Sequence, residues 1–163
     1  MPGGGGNQAA RRTPYNDDYP TCERTDVALL IYPEVLDPRA ISDRLGIAPT
    51  RLSVKGVDEA TPSGRVRPAP KSLWMLSSEG QVTSLDVRRH LDWLIERLTP
   101  ARQQLLELQL VPGTRMNVNC IWWSAHGTGG PTLWPEQMAA LAALGLEVSF
   151  DVSFYGPDDD AGA

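Results

Sequence analysis

Leu146-Glu147-Val148-Ser149-Phe150-Asp151-Val152-Ser153-Phe154-Tyr155 alternates an apolar with a polar residue at nearly every step. Side chains along a strand point to opposite faces in turn, so this stretch reads as a strand with one face buried and the other open to solvent or a partner. A parallel sheet covered on both sides would carry apolar residues on both faces. The pattern therefore predicts helices packed on one face of a mixed or antiparallel sheet, a two-layer α+β sandwich. A doubly wound α/β fold is the alternative.

The elements upstream support that choice. Val27–Tyr32 and Leu73–Ser77 are short apolar runs that read as strands. In the strand 116–123, Met116, Val118, Cys120 and Trp122 share one face, and Asn117, Asn119, Ile121 and Trp123 share the other. Asp37-Pro38 and Gly46 punctuate a short helix with an N-cap, a first-turn proline and a C-terminal glycine. Val87, Leu91, Leu94, Leu98, Ala101, Leu105 and Leu108 form one apolar stripe along a helix over 84–110. Pro100 breaks that helix, with Thr99 expected to cap its second half. Pro135 opens a further helix through Met138, Leu141 and Leu144, closed by Gly145. Residues 47–72 carry five prolines and glycines from Gly56 onward and read mostly as a long loop, with a short strand near 52–55. The element order suggests a ferredoxin-like core with an extra helix-strand unit.

Residues 1–25 and 156–163 have the composition of disordered ends, a leader and an acidic tail, which leaves 26–155 as one domain. The chain has 15 Lys and Arg against 20 Asp and Glu, a formal charge of -5, and no stretch concentrates positive charge. This argues against a nucleic-acid partner, since phosphate binding needs clustered cations. Of the basic residues 13 are Arg and two, Lys55 and Lys71, are Lys, a bias that a GC-rich genome explains. No secretory signal or membrane span is expected. Cys22 and Cys120 read as reduced thiols, Cys120 as a small core residue. The chain reads as cytoplasmic.

Candidate chemistry is thin. Ser124 and His126 lie two residues apart in a glycine-rich loop, but no G-x-S-x-G elbow surrounds them and no orienting carboxylate is evident. No catalytic residue is assigned, and a small hydrolase or transferase using this pair is the alternative. Gly127–Thr132 lacks the lysine of a phosphate loop and reads as a tight turn. Spacing gives no metal site, and no cofactor is expected. His90, Asp86, Asp92, Glu96 and Glu107 read as solvated residues on the outer side of the long helix.

Aromatic and basic residues beside the loops are more telling. A binding surface is expected to draw on Arg51, Lys55, Trp74, Trp123, Ser124, His126, Gly129 and Gly130, for a protein partner or small ligand. Full burial of Trp123 against its own chain would end that reading. A homodimer through the open sheet face or an edge strand is a further expectation.

Several motifs in order resemble one family. Leu45-Gly46-Ile47-Ala48-Pro49-Thr50 with Lys55-Gly56, Leu73-Trp74-Met75-Leu76-Ser77-Ser78, Ile121-Trp122-Trp123-Ser124, Gly129-Gly130-Pro131-Thr132-Leu133, and Leu144-Gly145-Leu146 with Phe150-Asp151-Val152 are similar to the bacterial domain-of-unknown-function family 4279. The resemblance covers about residues 26–155. It implies a small cytoplasmic bacterial domain and transfers no catalytic residue. Trp134 stands where a small capping residue is expected, which puts the cap of the following helix in question.

Overall fold

The computed structural model describes residues 12–156. Expectations for residues 1–11 and 157–163 lie outside the described residues. The chain runs β1 (Cys22–Tyr32), α1 (Pro38–Leu45), β2 (Arg51–Ser53), β3 (Asp58–Ala60), β4 (Val66–Pro68), β5 (Leu73–Ser77), α2 (Val87–Leu98), a 3-10 turn (Thr99–Ala101), α3 (Arg102–Gln109), β6 (Arg115–Ser124), α4 (Pro135–Ala143) and β7 (Val148–Ser153).

Five strands form one sheet in the order β2-β5-β1-β6-β7. Neighbours are antiparallel except β6 and β7, which run parallel. The unit β1-α1-β2-β5-α2/α3-β6 is thus an alternating four-stranded sheet, and α4-β7 adds a parallel strand at its edge. The fold is α+β, as the alternation predicts. Val27, Leu29, Ile31, Trp74, Leu76, Val118 and Cys120 point to one side of the sheet and join Ile41, Leu45, Leu91, Leu94, Leu98, Leu105, Leu108, Leu141 and Leu144 from all four helices in a single core. The opposite face, with Asn117, Asn119, Ile121 and Trp123, carries no helix.

Local chemistry explains the element ends. The Asp37 side chain accepts the Arg39 N–H at 2.8 Å, and Gly46, at φ 68°, closes α1 by donating to Ser42 O. That left-handed conformation is strained for any residue with a Cβ, which is why glycine stands there. At Pro100 the helix does break, but Thr99 does not cap α3. Its hydroxyl instead donates back to Ile95 O at 2.6 Å, closing α2, and Ala101 stands at the N-cap of α3 with no side-chain cap. Ahead of α4, the Gln137 carboxamide oxygen accepts the Trp134 N–H at 2.7 Å, so the helix is capped from inside and needs no small residue at 134.

Four further expectations are corrected. Residues 56–72 are not a loop: β3 and β4 form a separate two-stranded sheet, because Gly64 at φ 79° allows the tight turn in which Thr61 and Arg65 pair. Residues 12–25 are not a loose leader. The strand β1 starts at Cys22, and residues 13–19 are bound to α2 and the 130–134 segment by hydrogen bonds that a composition count does not register. His90 and Asp86 are buried rather than solvated: residues 13–19 pack over Asp86 and Arg88 at the start of α2, and His90 is held between Ser78 Oγ and the Ser84 carbonyl. Finally, the apolar face of β7 is covered only at Val148: Phe150 is 44% and Val152 57% exposed, because α4 packs on α2 rather than along β7.

Candidate functional site

The candidate residues separate to the two ends of the sheet. β1 and β6 pair from Tyr32↔Arg115 at one end to Cys22↔Ser124 at the other, about 30 Å apart for a ten-residue strand.

At the first end, Tyr32, Glu34, Lys55, Lys71, Ser72 and Arg115 line a cleft of about 400 Å³. The β3-β4 hairpin builds one wall. Its base is tied by Gly56 N–H to Ala69 O and Ala69 N–H to Val57 O, both 2.9 Å, which brings Lys55 and Lys71 to the same side. The Lys55 N–H donates to Ser72 Oγ at 3.1 Å, and Lys71 Nζ sits 4.3 Å from the centre of the Tyr32 ring, a cation–π contact that holds the ammonium at the rim. Gly113, at φ 75°, allows Glu34 to lie against the floor, because a Cβ there would overlap the Glu34 carboxylate. Among the described residues, Lys55, Lys71 and Arg115 form no ion pair. Three cations against one carboxylate make this a positive site on a chain of net charge -5.

At the second end, Trp123 is half-buried on the open face. Arg24 lies over its ring at 4.8 Å and Tyr155 meets it edge-on at 4.8 Å. The other residues expected there serve the fold. Ser124 Oγ donates to Thr128 O at 2.8 Å, and its contact with His126 is to the backbone N–H at 3.4 Å, not to the imidazole. Gly129, at φ 88°, accommodates Thr21, whose side chain a Cβ would overlap, and Gly130 O accepts the Tyr19 hydroxyl at 2.9 Å. Arg51 faces Glu59 at 3.8 Å beside the hairpin. Trp74 is fully buried and donates its indole N–H to Ser42 Oγ at 2.9 Å, so it is a core residue with no surface for a ligand.

Two buried polar groups lie outside the expected set. Arg88 is fully buried. Its guanidinium donates to both Asp86 carboxylate oxygens at 2.8 and 2.5 Å, and to Thr13 O and Pro14 O at 2.6 and 2.9 Å, beside the touching rings of Tyr15 and Trp134. Burial pushes the Asp86 carboxyl upward, but the hydrogen bonds from Arg88 and Asn16 N–H outweigh it and hold it below the usual carboxylate range. His90 Nε2 lies 2.7 Å from Ser84 O, which can only accept, so Nε2 carries the proton and Nδ1 accepts from Ser78 Oγ at 2.7 Å. Burial lowers the His90 pKa. This Ser–His pair is sealed from solvent on both sides and ties α2 to the sheet. Burial also pushes the Cys22 and Cys120 thiols up, to about 11 and about 12, so neither is a nucleophile at neutral pH.

Among the described residues no three His, Cys, Asp or Glu side chains converge as metal ligands, and no helix is long and apolar enough to cross a membrane. Residues 22–155 match the model of the family described as Domain of unknown function (DUF4279), and the chain belongs to that family. No curated protein and no solved structure matches the chain.

Proposed function

We propose that this DUF4279 member is a non-enzymatic binding domain whose cleft at Tyr32, Lys55, Lys71 and Arg115 takes a small ligand carrying a carboxylate or phosphate. The observation that carries this reading is the convergence of both lysines of the chain with Arg115 on one concavity, none of them paired among the described residues. Cations left without a carboxylate partner bind an anion at little desolvation cost, and the arginine fork offers two parallel donors to carboxylate or phosphate. Glu34 on the floor disfavours ligands whose charge is spread to that side. A reducing, cytoplasmic setting suits the two thiols. The hydrolase reading through Ser124 and His126 is disfavoured because the serine hydroxyl is engaged by the carbonyl of Thr128.

The test is titration calorimetry of the full chain with inorganic phosphate and, separately, with succinate. The expected result is saturable binding at about 0.1–1 mM, near -4 to -5.5 kcal/mol, weakening as salt is raised. The preferred anion identifies the ligand class. Lys55→Glu with Lys71→Glu lowers affinity at least about tenfold, while far-UV circular dichroism stays unchanged because both side chains are exposed. Equal affinity in the double variant contradicts the proposal.

A further inference from the structure

The edge strand β7 combines two features that a folded monomer leaves unused. It ends the sheet, and two of its three apolar side chains, Phe150 and Val152, remain exposed on the face that the helices cover elsewhere. Natural edges of this kind are blunted by charged side chains, lysine above all, by proline, bulges or a covering element, and the one charge in β7 is Asp151 on the open face. Val148–Ser153 contains no proline and no lysine, and its pairing with β6 runs from Val118↔Val148 to Trp123↔Ser153 with no bulge. Residues 157–163, Pro-Asp-Asp-Asp-Ala-Gly-Ala, offer no large apolar side chain to cover it.

The backbone phase is readable. Glu147 O accepts the Val118 N–H at 2.9 Å, so in this parallel ladder residues 147, 149, 151 and 153 turn their backbone groups toward β6. Val148, Phe150 and Val152 therefore direct theirs outward. We infer that this edge is occupied by β7 of a second copy, paired antiparallel about a two-fold axis at Phe150. In that register Phe150 and its symmetry mate exchange both backbone hydrogen bonds, and Val148 lies opposite Val152. On the open face Ser149 lies opposite Asp151, where a hydroxyl meets a carboxylate. The neighbouring register, centred one residue on, sets Asp151 against its own copy at the closest cross-strand distance, and like charges directly opposite are destabilising. Of the two-fold registers open to Val148–Ser153, the one centred at Phe150 pairs the most residues without setting like charges opposite, and it joins two five-stranded sheets into one with all helices on the same side.

The experiment is light scattering coupled to gel filtration on the full chain at micromolar concentration. The expected mass is twice the 17.8 kDa of the chain. Phe150→Lys halves that mass, since it sets two ammonium groups opposite each other, and leaves the far-UV spectrum unchanged because Phe150 is already 44% exposed. Phe150→Cys cross-links to a covalent dimer under mild oxidation, because hydrogen-bonded antiparallel partners lie about 5.5 Å apart at Cα, within disulfide reach. The native Cys22 and Cys120 are buried and give no such product. A wild-type mass of 17.8 kDa, open-ended aggregation, a dimer that survives Phe150→Lys, or a Phe150→Cys chain that fails to cross-link overturns the inference.

Discussion

Arg88→Ala lowers the unfolding free energy by about 3–5 kcal/mol. The side chain is fully buried; it is the counter-ion of the buried Asp86 carboxylate and also donates to Thr13 O and Pro14 O. Truncation leaves a buried charge unpaired, the costliest outcome for such a site. Typical domains are stable by only about 5–15 kcal/mol, so the variant sits near the limit of folding at 25 °C. Residues 12–21 depend on the same guanidinium, and limited proteolysis of the variant is expected to cut there first. Replacing both partners, Asp86→Asn with Arg88→Met, recovers part of the loss because no charge is then left buried; it does not recover all, since Asp86 also caps α2 through the Arg88 N–H. Urea unfolding measures both. A single-variant loss below about 1 kcal/mol, the scale of a surface ion pair, contradicts this reading of the clamp.

Trp74→Ala costs about 3–5 kcal/mol by opening a large cavity between β5 and α1. The indole is fully buried among core residues, and its N–H is the partner of Ser42 Oγ on α1. Trp74→Phe is expected to cost less, since the ring volume is largely kept and only the hydrogen bond is lost, a net contribution of about 0.5–1.5 kcal/mol. Urea unfolding followed by circular dichroism checks the order. Where both variants fold, anion affinity at the cleft is unchanged. A Trp74→Ala chain with wild-type stability and weakened ligand binding contradicts the placement of this residue in the core.

Features set by neighbours along the chain are legible in the sequence alone. The Asp37-Pro38…Gly46 punctuation gives α1 within a residue, and the alternation over 116–123 places Trp122 inward and Trp123 outward. What escapes such a reading is set by contacts distant in the chain. His90 looks solvated because Arg88 and Arg89 stand beside it, yet it is buried, with Ser78 Oγ and the Ser84 carbonyl on its two ring nitrogens. The alternation in β7 identifies a strand but not an edge, because period-two patterning names a face without saying what covers it. The cleft is half visible. Lys55 stands among the expected binding residues, but Arg115 reaches it only through the pairing Tyr32↔Arg115, and Lys71 only through closure of the hairpin. The available signal is that the two lysines of the chain flank one turn-rich segment.

The most direct test of the binding account is residue-resolved: a titration of the isotope-labelled chain with inorganic phosphate, read from backbone amide shifts at constant ionic strength. The account predicts saturable shifts clustered at Tyr32, Glu34, Lys55, Lys71, Ser72, Gly113 and Arg115, the residues of one cleft built from four separate segments. Shifts centred instead on Ser124–Thr132, or none above those produced by chloride, contradict it.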